Sequence, residues 1–276
     1  MAEKDIAIRE AASTNTSPKV KAPPSEKATT VPFDYCPSDD GTDENLLILL
    51  HGLGDTHKPF GRLGRSLKLP QTATLALRAP DLIPYLYEEA YQWYESFDPL
   101  GELIPNPNPS PALALMSKVL KHLTADCAWP VERIHIFGFA QGGTVAAEFA
   151  LHWWRAELER TKVIAADAPD REPRALASVV SVCGPLLSFP TALTKPCPTP
   201  VFVTHRPAPA ESALPPNALS SFKKGFSAVK DVNMGRGEGM PRSKDEWEPI
   251  MRFWSERLSR RQMEGLYEVM SGAAPL

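Results

Sequence analysis

A chain of 276 residues that is 43% hydrophobic can bury one large core, and a single α/β domain of about 200 to 250 residues fits within it. The formal net charge of −3, with no Lys/Arg block longer than Lys223-Lys224 or Arg260-Arg261, argues against nucleic acid as a partner. No run approaches the ~20 apolar residues of a transmembrane segment, and the first residues lack the apolar stretch of a signal peptide. We therefore expect a soluble cytoplasmic protein, with the nucleus as a second location.

Three segments follow one another along the chain. Residues 1–43 are rich in Ser, Thr, Pro, Lys and Asp and have no helical or strand periodicity, which predicts a disordered N-terminal tail. Residues 44–262 alternate short apolar β-type runs with longer helical patterns, which predicts an α/β domain with a mostly parallel central sheet and helices on both faces. Residues 263–276 are predicted to be a C-terminal tail.

The domain pattern predicts six strands and four helices. The strands are expected at residues 45–50, 72–77, 133–139, 177–182, 200–204 and 229–234. The helices are expected at residues 112–126, 142–159, 212–227 and 244–261.

The most informative local pattern lies where the third strand meets the helix after it. The sequence there is Gly138-Phe139-Ala140-Gln141-Gly142-Gly143, followed by a helical run. This is the layout of a nucleophile elbow, G-x-S-x-G, in which glycines allow a sharp strand-to-helix turn. The central residue should be serine, and here it is Ala140.

These residues resemble the GFSQGG elbow of acyl-protein thioesterases and the related phospholipase/carboxylesterase family of α/β hydrolases. A second match is the loop at residues 51–55, which reads HGLGD as in the family. Further agreements are Leu69-Pro70-Gln71-Thr72, Arg78-Ala79-Pro80, Trp93-Tyr94 with Phe97-Asp98, and Ser188-Phe189-Pro190. The resemblance covers about residues 45 to 260, and it implies the α/β-hydrolase fold with a triad in the chain order serine, acid, histidine.

The resemblance also identifies where the triad is degenerate. Ala140 carries a methyl group and has no lone pair with which to attack a carbonyl. The family's acid follows the strand at 200–204 in an HG-x-x-D pattern, and the corresponding position is Pro209, with Glu211 as an alternative carboxylate. The family's histidine position falls on Met240, and no histidine follows His205. Three losses together predict that the family's mechanism has been lost.

Other site features implied by the resemblance remain in the sequence, each with a structural alternative. The backbone N–H groups of Leu53 and Gln141 are the expected oxyanion donors, unless these loops persist only because the fold needs the turn. His51 and His205 have structural counterparts in the family. The remaining pocket candidates are Gly52, Trp93 with Tyr94, as acyl-groove lining or core, and Cys183, as surrogate nucleophile or small packed residue.

Three functions follow. The first is a catalytically inactive pseudo-hydrolase that binds an acyl or lipid-like small ligand or a lipidated protein. The second is an active carboxylic-ester or thioester hydrolase that uses an unrecognised nucleophile such as Cys183 or Thr144. The third is a structural subunit with a vestigial pocket.

The four cysteines, irregularly spaced and without CxxC, favour free thiols, so we expect no metal and no cofactor. No sequence signal specifies an oligomeric state.

Overall fold

A computed structural model describes residues 8–9, 20–84, 88–164, 172–188, 190, 195–260 and 268–269. Within this part of the chain, seven strands form one sheet. They are β1 (Phe33–Cys36), β2 (Asn45–Leu50), β3 (Thr72–Leu77), β4 (Ile134–Phe139), β5 (Ser178–Val182), β6 (Val201–His205) and β7 (Val229–Asn233). The strand order is β7-β6-β5-β4-β2-β3-β1, and every pair is parallel except the antiparallel pair of β1 with β3.

The apolar residues of the strands are buried on both faces of the sheet. All six residues of β2 are buried. Leu46, Ile48 and Leu50 pack in one hydrophobic cluster, while Leu47 and Leu49 pack in the other. This separation follows the alternation of side chains along a strand, and a continuous apolar run is typical of a parallel strand covered on both sides.

Helices cover both faces, as the sequence predicts. The helices are α1 (Glu26–Thr29), α2 (His57–Ser66), α3 (Ser110–Ala125), α4 (Gln141–Ile164), α5 (Ala218–Gly225) and α6 (Lys244–Ser255). Residues of α3, α4 and α5, among them Val119, Phe149 and Phe222, pack in the first cluster. Phe60 of α2 and Trp254 of α6 pack in the second. The α/β class with a mostly parallel sheet is therefore confirmed.

Two helix predictions extend beyond the helices that form. The helix predicted at 212–227 is reduced to α5, because Pro215-Pro216 interrupts the helical backbone and Asn217, at φ 68°, begins the helix later. The helix predicted at 244–261 ends at Ser255. Conversely, the helix predicted to end at 159 continues to Ile164.

The prediction of a disordered tail at 1–43 is wrong for residues 20–43. This segment contains α1 and the edge strand β1, and the carboxylate of Asp43 accepts hydrogen bonds from the backbone N–H groups of Lys21 and Ser38, both at 2.9 Å. Asp34 pairs with Arg65 of α2 at 2.8 Å. The predicted C-terminal tail lies outside the described residues except Glu268–Val269, which pair antiparallel with Ile8–Arg9.

Candidate functional site

The strand-to-helix turn predicted from the sequence is present. β4 ends at Phe139, α4 begins at Gln141, and Ala140 lies between them with φ 47°. This left-handed conformation disfavours residues that carry a Cβ. The turn is fixed by hydrogen bonds from the Ala140 N–H to the Val182 carbonyl at 2.8 Å and from the Thr144 N–H to the Ala140 carbonyl at 3.0 Å.

Glycines let the backbone segments around the turn approach each other closely. A Cβ at Gly138 would collide with the carbonyl of Gly142. A Cβ at Gly142 would collide with the carbonyl of Leu50 and lie 2.5 Å from that of His51. The elbow therefore keeps the geometry that presents a nucleophile, although a methyl group stands at its tip.

The proposed oxyanion donors lie on two elements that meet at the elbow. Gln141 is the first residue of the 24-residue helix α4, where the helix dipole favours negative charge. Leu53 follows β2 and is partly exposed. Within the described part of the chain, neither backbone N–H donates to a protein acceptor. Gly52 borders the same place, because a Cβ there would lie 3.6 Å from the Ala140 Cβ.

The Gln141 side chain links the elbow to the segment at 93–96. Its amide oxygen accepts from the Trp93 N–H at 2.9 Å, and its amide nitrogen donates to the Tyr94 carbonyl at 2.9 Å and the Ser96 hydroxyl at 2.7 Å. With these bonds made, the side chain holds its own backbone N–H in place beside Ala140.

His51 and Trp93 form a buried structural pair. His51 Nε2 accepts from the Ala79 N–H at 2.9 Å, which makes Nδ1 the protonated nitrogen, 2.7 Å from the Gly52 carbonyl oxygen. Burial lowers the pKa of His51, so its imidazole is neutral. Trp93, which is fully buried, donates from its indole to the His51 carbonyl at 2.8 Å. These contacts favour the packing interpretation for both side chains.

An arginine lies between the two loops in which the resemblance predicts the acid and histidine positions. Arg206 directly follows β6, at the glycine of the family's HG-x-x-D pattern, and its side chain is 1% exposed. Its guanidinium binds the carboxylate of Glu246 on α6, with N···O distances of 2.5 and 3.1 Å. The same guanidinium donates to the Met240 carbonyl at 3.1 Å and the Met234 carbonyl at 3.2 Å. Arg206 therefore fastens the loop that contains the histidine position.

A second contact joins the two loops directly. Glu238 accepts hydrogen bonds from the N–H groups of Glu211 and Ser212 and from the Ser212 hydroxyl, and that hydroxyl accepts from the Gly239 N–H at 3.0 Å. Glu211, the alternative acid, contributes its backbone to this contact, and its side chain is exposed. Pro209 and Met240 thus lie in loops connected by an ion-pair and hydrogen-bond network rather than by an acid–histidine pair.

The electrostatics of this network follow from the arginine. Hydrogen bonding by the Arg206 guanidinium lowers the pKa of Glu246 from its ordinary value of 4.5 to about 2. A carboxylate held this firmly by a cation is a poor proton acceptor at neutral pH. The sequence pattern did not predict a role at this site for Arg206, Glu246, Ser212 or Glu238. One available signal was a charged residue at the family's glycine position, directly after a buried strand.

Neither surrogate nucleophile is well placed for attack. Cys183 is 6% exposed and its Sγ lies 3.9 Å from the Gly239 carbonyl oxygen, and burial raises the pKa of its thiol. Thr144 is fully buried in α4. A thiol without thiolate character is a weak nucleophile. All four cysteines are free, which confirms that prediction.

The sheet order, the elbow and the helices on both faces define an α/β hydrolase. Residues 36–165 match the model of the phospholipase/carboxylesterase family. The chain is 37% identical over 247 residues to an uncharacterized hydrolase of Mycosarcoma maydis, a match that covers 84% of this chain and 85% of that protein. The chain belongs to the phospholipase/carboxylesterase family.

Solved structures agree with this fold. Esterase PE8 has a TM-score of 0.64 at 18% identity, with coverage of 83% of this chain and 98% of that one. Acyl-protein thioesterase 2 of Zea mays has a TM-score of 0.61 at 18% identity, with coverage of 83% and 100%. In the described part of the chain, no helix is long and apolar enough to cross a membrane, and no group of three or more His, Cys, Asp or Glu residues is placed to hold a metal ion.

Proposed function

We propose that this protein is a non-catalytic member of its family that keeps the elbow as a binding site for an acyl or lipid-like ligand or a lipidated protein. The observation that carries the proposal is that an intact elbow with Ala140 at its tip occurs together with the Arg206–Glu246 ion pair at the predicted acid and histidine loops. A serine mechanism needs a nucleophile and a base in hydrogen-bond contact, and here both are replaced.

Retained binding is supported by the backbone N–H groups of Leu53 and Gln141, which donate to no acceptor among the described residues. They can donate to a carbonyl or carboxylate oxygen without any reaction at residue 140. The partly exposed Leu53 side chain gives such a ligand an apolar contact beside these donors. The free cysteines agree with a reducing compartment, and we place the protein in the cytoplasm or nucleus.

Hydrolysis of short-chain nitrophenyl esters tests the proposed loss of catalysis. The unmodified protein, Ala140→Ser and Ala140→Ser combined with Met240→His should all lack turnover, because Pro209 stands at the predicted acid position and Arg206 holds the nearby carboxylate of Glu246 in an ion pair. Turnover by Ala140→Ser alone would refute the loss of catalysis. Turnover by the unmodified protein that Cys183→Ala abolishes would establish the surrogate-nucleophile alternative.

Thermal unfolding in the presence of palmitate tests the proposed binding of an acyl ligand, because a ligand that binds only the folded state raises the melting temperature. Leu53→Pro removes the backbone N–H donor together with the leucine side chain. Leu53→Ala also removes the leucine side chain but keeps that donor, so it is the matched control. We expect palmitate to stabilise the unmodified protein and Leu53→Ala, and to stabilise Leu53→Pro much less. No stabilisation of the unmodified protein would favour the purely structural role.

A further inference from the structure

An acidic region of the chain leads into α3 and includes the start of that helix. Residues 79–117 contain six carboxylates and no lysine, arginine or histidine. The carboxylates are Asp81, Glu88, Glu89, Glu95, Asp98 and Glu102. The whole chain carries −3, so this region carries −6 and the remainder carries +3. Such segregation produces a local negative potential that a cationic partner would sense.

The same region exposes large apolar side chains. Phe97 and Leu103 face each other across a short antiparallel bridge, and Leu100 lies in the turn between them. The turn is closed by hydrogen bonds from the Asp98 N–H to the Glu102 carbonyl and from the Ile104 N–H to the Ser96 carbonyl, both at 2.9 Å. Exposed fractions are 48% for Phe97, 86% for Leu100 and 72% for Leu103. A grouping of this kind, beside polar residues, is typical of an interaction surface.

A cleft of about 380 Å³ lies beside this turn. Its lining includes Asp81, Glu95, Ile104, Pro107 and Pro111. Asp81 and Glu95 both line this cleft, and burial together with the neighbouring Glu95 raises the pKa of Asp81. Among the described residues, neither carboxylate forms an ion pair. The cleft therefore joins two uncompensated negative charges to an apolar wall.

We propose that the acidic apolar surface, formed by Asp81, Glu95, Phe97, Leu100 and Leu103, binds a basic amphipathic segment of a partner protein. A lysine or arginine of the partner would enter the cleft between Asp81 and Glu95, with its methylene stem against Ile104 and the prolines. Apolar side chains of the same segment would cover Phe97, Leu100 and Leu103. This surface borders the elbow, because Trp93 and Tyr94 also line the cleft and are hydrogen-bonded to the Gln141 side chain. The proposal nevertheless uses other residues and does not depend on the proposed function.

The charge of the surface argues for a protein rather than a membrane. Exposed apolar residues that insert into a cytoplasmic leaflet are usually accompanied by lysine and arginine, because the leaflet is negatively charged. Here the apolar turn is surrounded by carboxylates, which would be repelled by anionic lipids. A basic polypeptide satisfies both the charge and the apolar area.

The binding test uses a short fluorescein-labelled peptide built from leucine and lysine, measured by anisotropy with the full-length protein. Asp81→Asn combined with Glu95→Gln should weaken binding about tenfold, because two exposed charge contacts are lost. Glu26→Gln combined with Asp245→Asn removes two exposed carboxylates elsewhere and should leave binding unchanged. A matching peptide of leucine and glutamate should not bind, and raising the ionic strength from about 0.05 to about 0.5 M should weaken the lysine peptide.

The apolar contribution has its own matched pair. Leu100→Ser combined with Leu103→Ser should weaken the lysine peptide, while Val163→Ser, which alters an apolar side chain that is 77% exposed on α4, should not. Equal binding by all variants would overturn the proposal. Tighter binding to vesicles containing phosphatidylserine than to neutral vesicles would assign the surface to a membrane instead. Self-association in light scattering, abolished by the Asp81/Glu95 variant, would assign it to a second copy of this chain.

Discussion

The guanidinium of Arg206 and the carboxylate of Glu246 form a two-point ion pair between the end of β6 and the first turn of α6. The arginine side chain is 1% exposed and that of Glu246 is 17% exposed. Burying two charges is costly unless their remaining hydrogen bonds are satisfied, and here the backbone carbonyls of Met234 and Met240 accept from the arginine. The pair thus connects the end of β6 to the loop that contains Met240, the position at which the resemblance predicts a histidine.

Glu246→Gln should destabilise the protein strongly, because it leaves the Arg206 charge buried without a counter-charge. We expect a loss of about 3 kcal/mol in the free energy of unfolding, measured by urea denaturation. Glu248→Gln is the matched control, since Glu248 lies on the same helix and pairs with Arg252 in an exposed ion pair. The control should cost at most about 0.5 kcal/mol. Similar losses in the two variants would mean that the buried pair contributes no more than a surface pair.

Stability should fall in acid through His135, the buried histidine near the start of β4. Burial lowers its pKa from 6.5 to about 4, so between these values the unfolded chain binds a proton that the folded protein does not. As the pH falls below 6.5, His135 therefore lowers the free energy of unfolding, and this loss of stability levels off below about 4.

His135→Asn removes this titration while keeping a polar atom near the Ser178 hydroxyl, which lies 2.7 Å from His135 Nδ1. Between pH 7 and pH 4.5, the unmodified protein should lose about 2 kcal/mol more than the variant, at about 1.4 kcal/mol per pKa unit. Urea denaturation at several pH values measures the difference. Above pH 7 the two curves should run parallel, and parallel curves below pH 6.5 would contradict the assignment.

The elbow glycines can be tested by adding a single methyl group. Gly138→Ala places a Cβ against the Gly142 carbonyl, which is backbone and cannot move aside cheaply. We expect a loss of about 3 kcal/mol or misfolding, because the clash must be relieved by shifting β4 or α4. Gly101→Ala, at φ 81° with open space around its Cβ, isolates the backbone cost and should lose about 1 kcal/mol. A thermal melt of both variants gives the comparison.

Much of the sheet and the elbow could be predicted because their signals are local. The apolar run of β2 and the elbow glycines specify their own conformation over a few residues. Arg206 could not be assigned a role, because its partners Met234, Met240 and Glu246 are 28 to 40 positions away and meet it only in the folded chain. The edge strand β1 was missed for a related reason, since its order depends on pairing with β3.

The N-terminal segment gives the last test, because one buried carboxylate binds two of its backbone N–H groups. Asp43 is 1% exposed and holds the backbone N–H groups of Lys21 and Ser38. Asp43→Ala removes both acceptors and leaves two N–H groups unpaired, so we expect a loss of about 2 kcal/mol. Trypsin cleavage after Lys21 and Lys27 should accelerate, because the segment that leads into α1 loses one of its attachments to the domain. Asp39→Ala, which breaks only an exposed pair with Lys68, should change neither measurement appreciably. Equal cleavage rates in the two variants would mean that residues 20–31 are held mainly by other contacts, such as the hydrogen bond from the Ser25 N–H to His122 Nε2 at 3.0 Å.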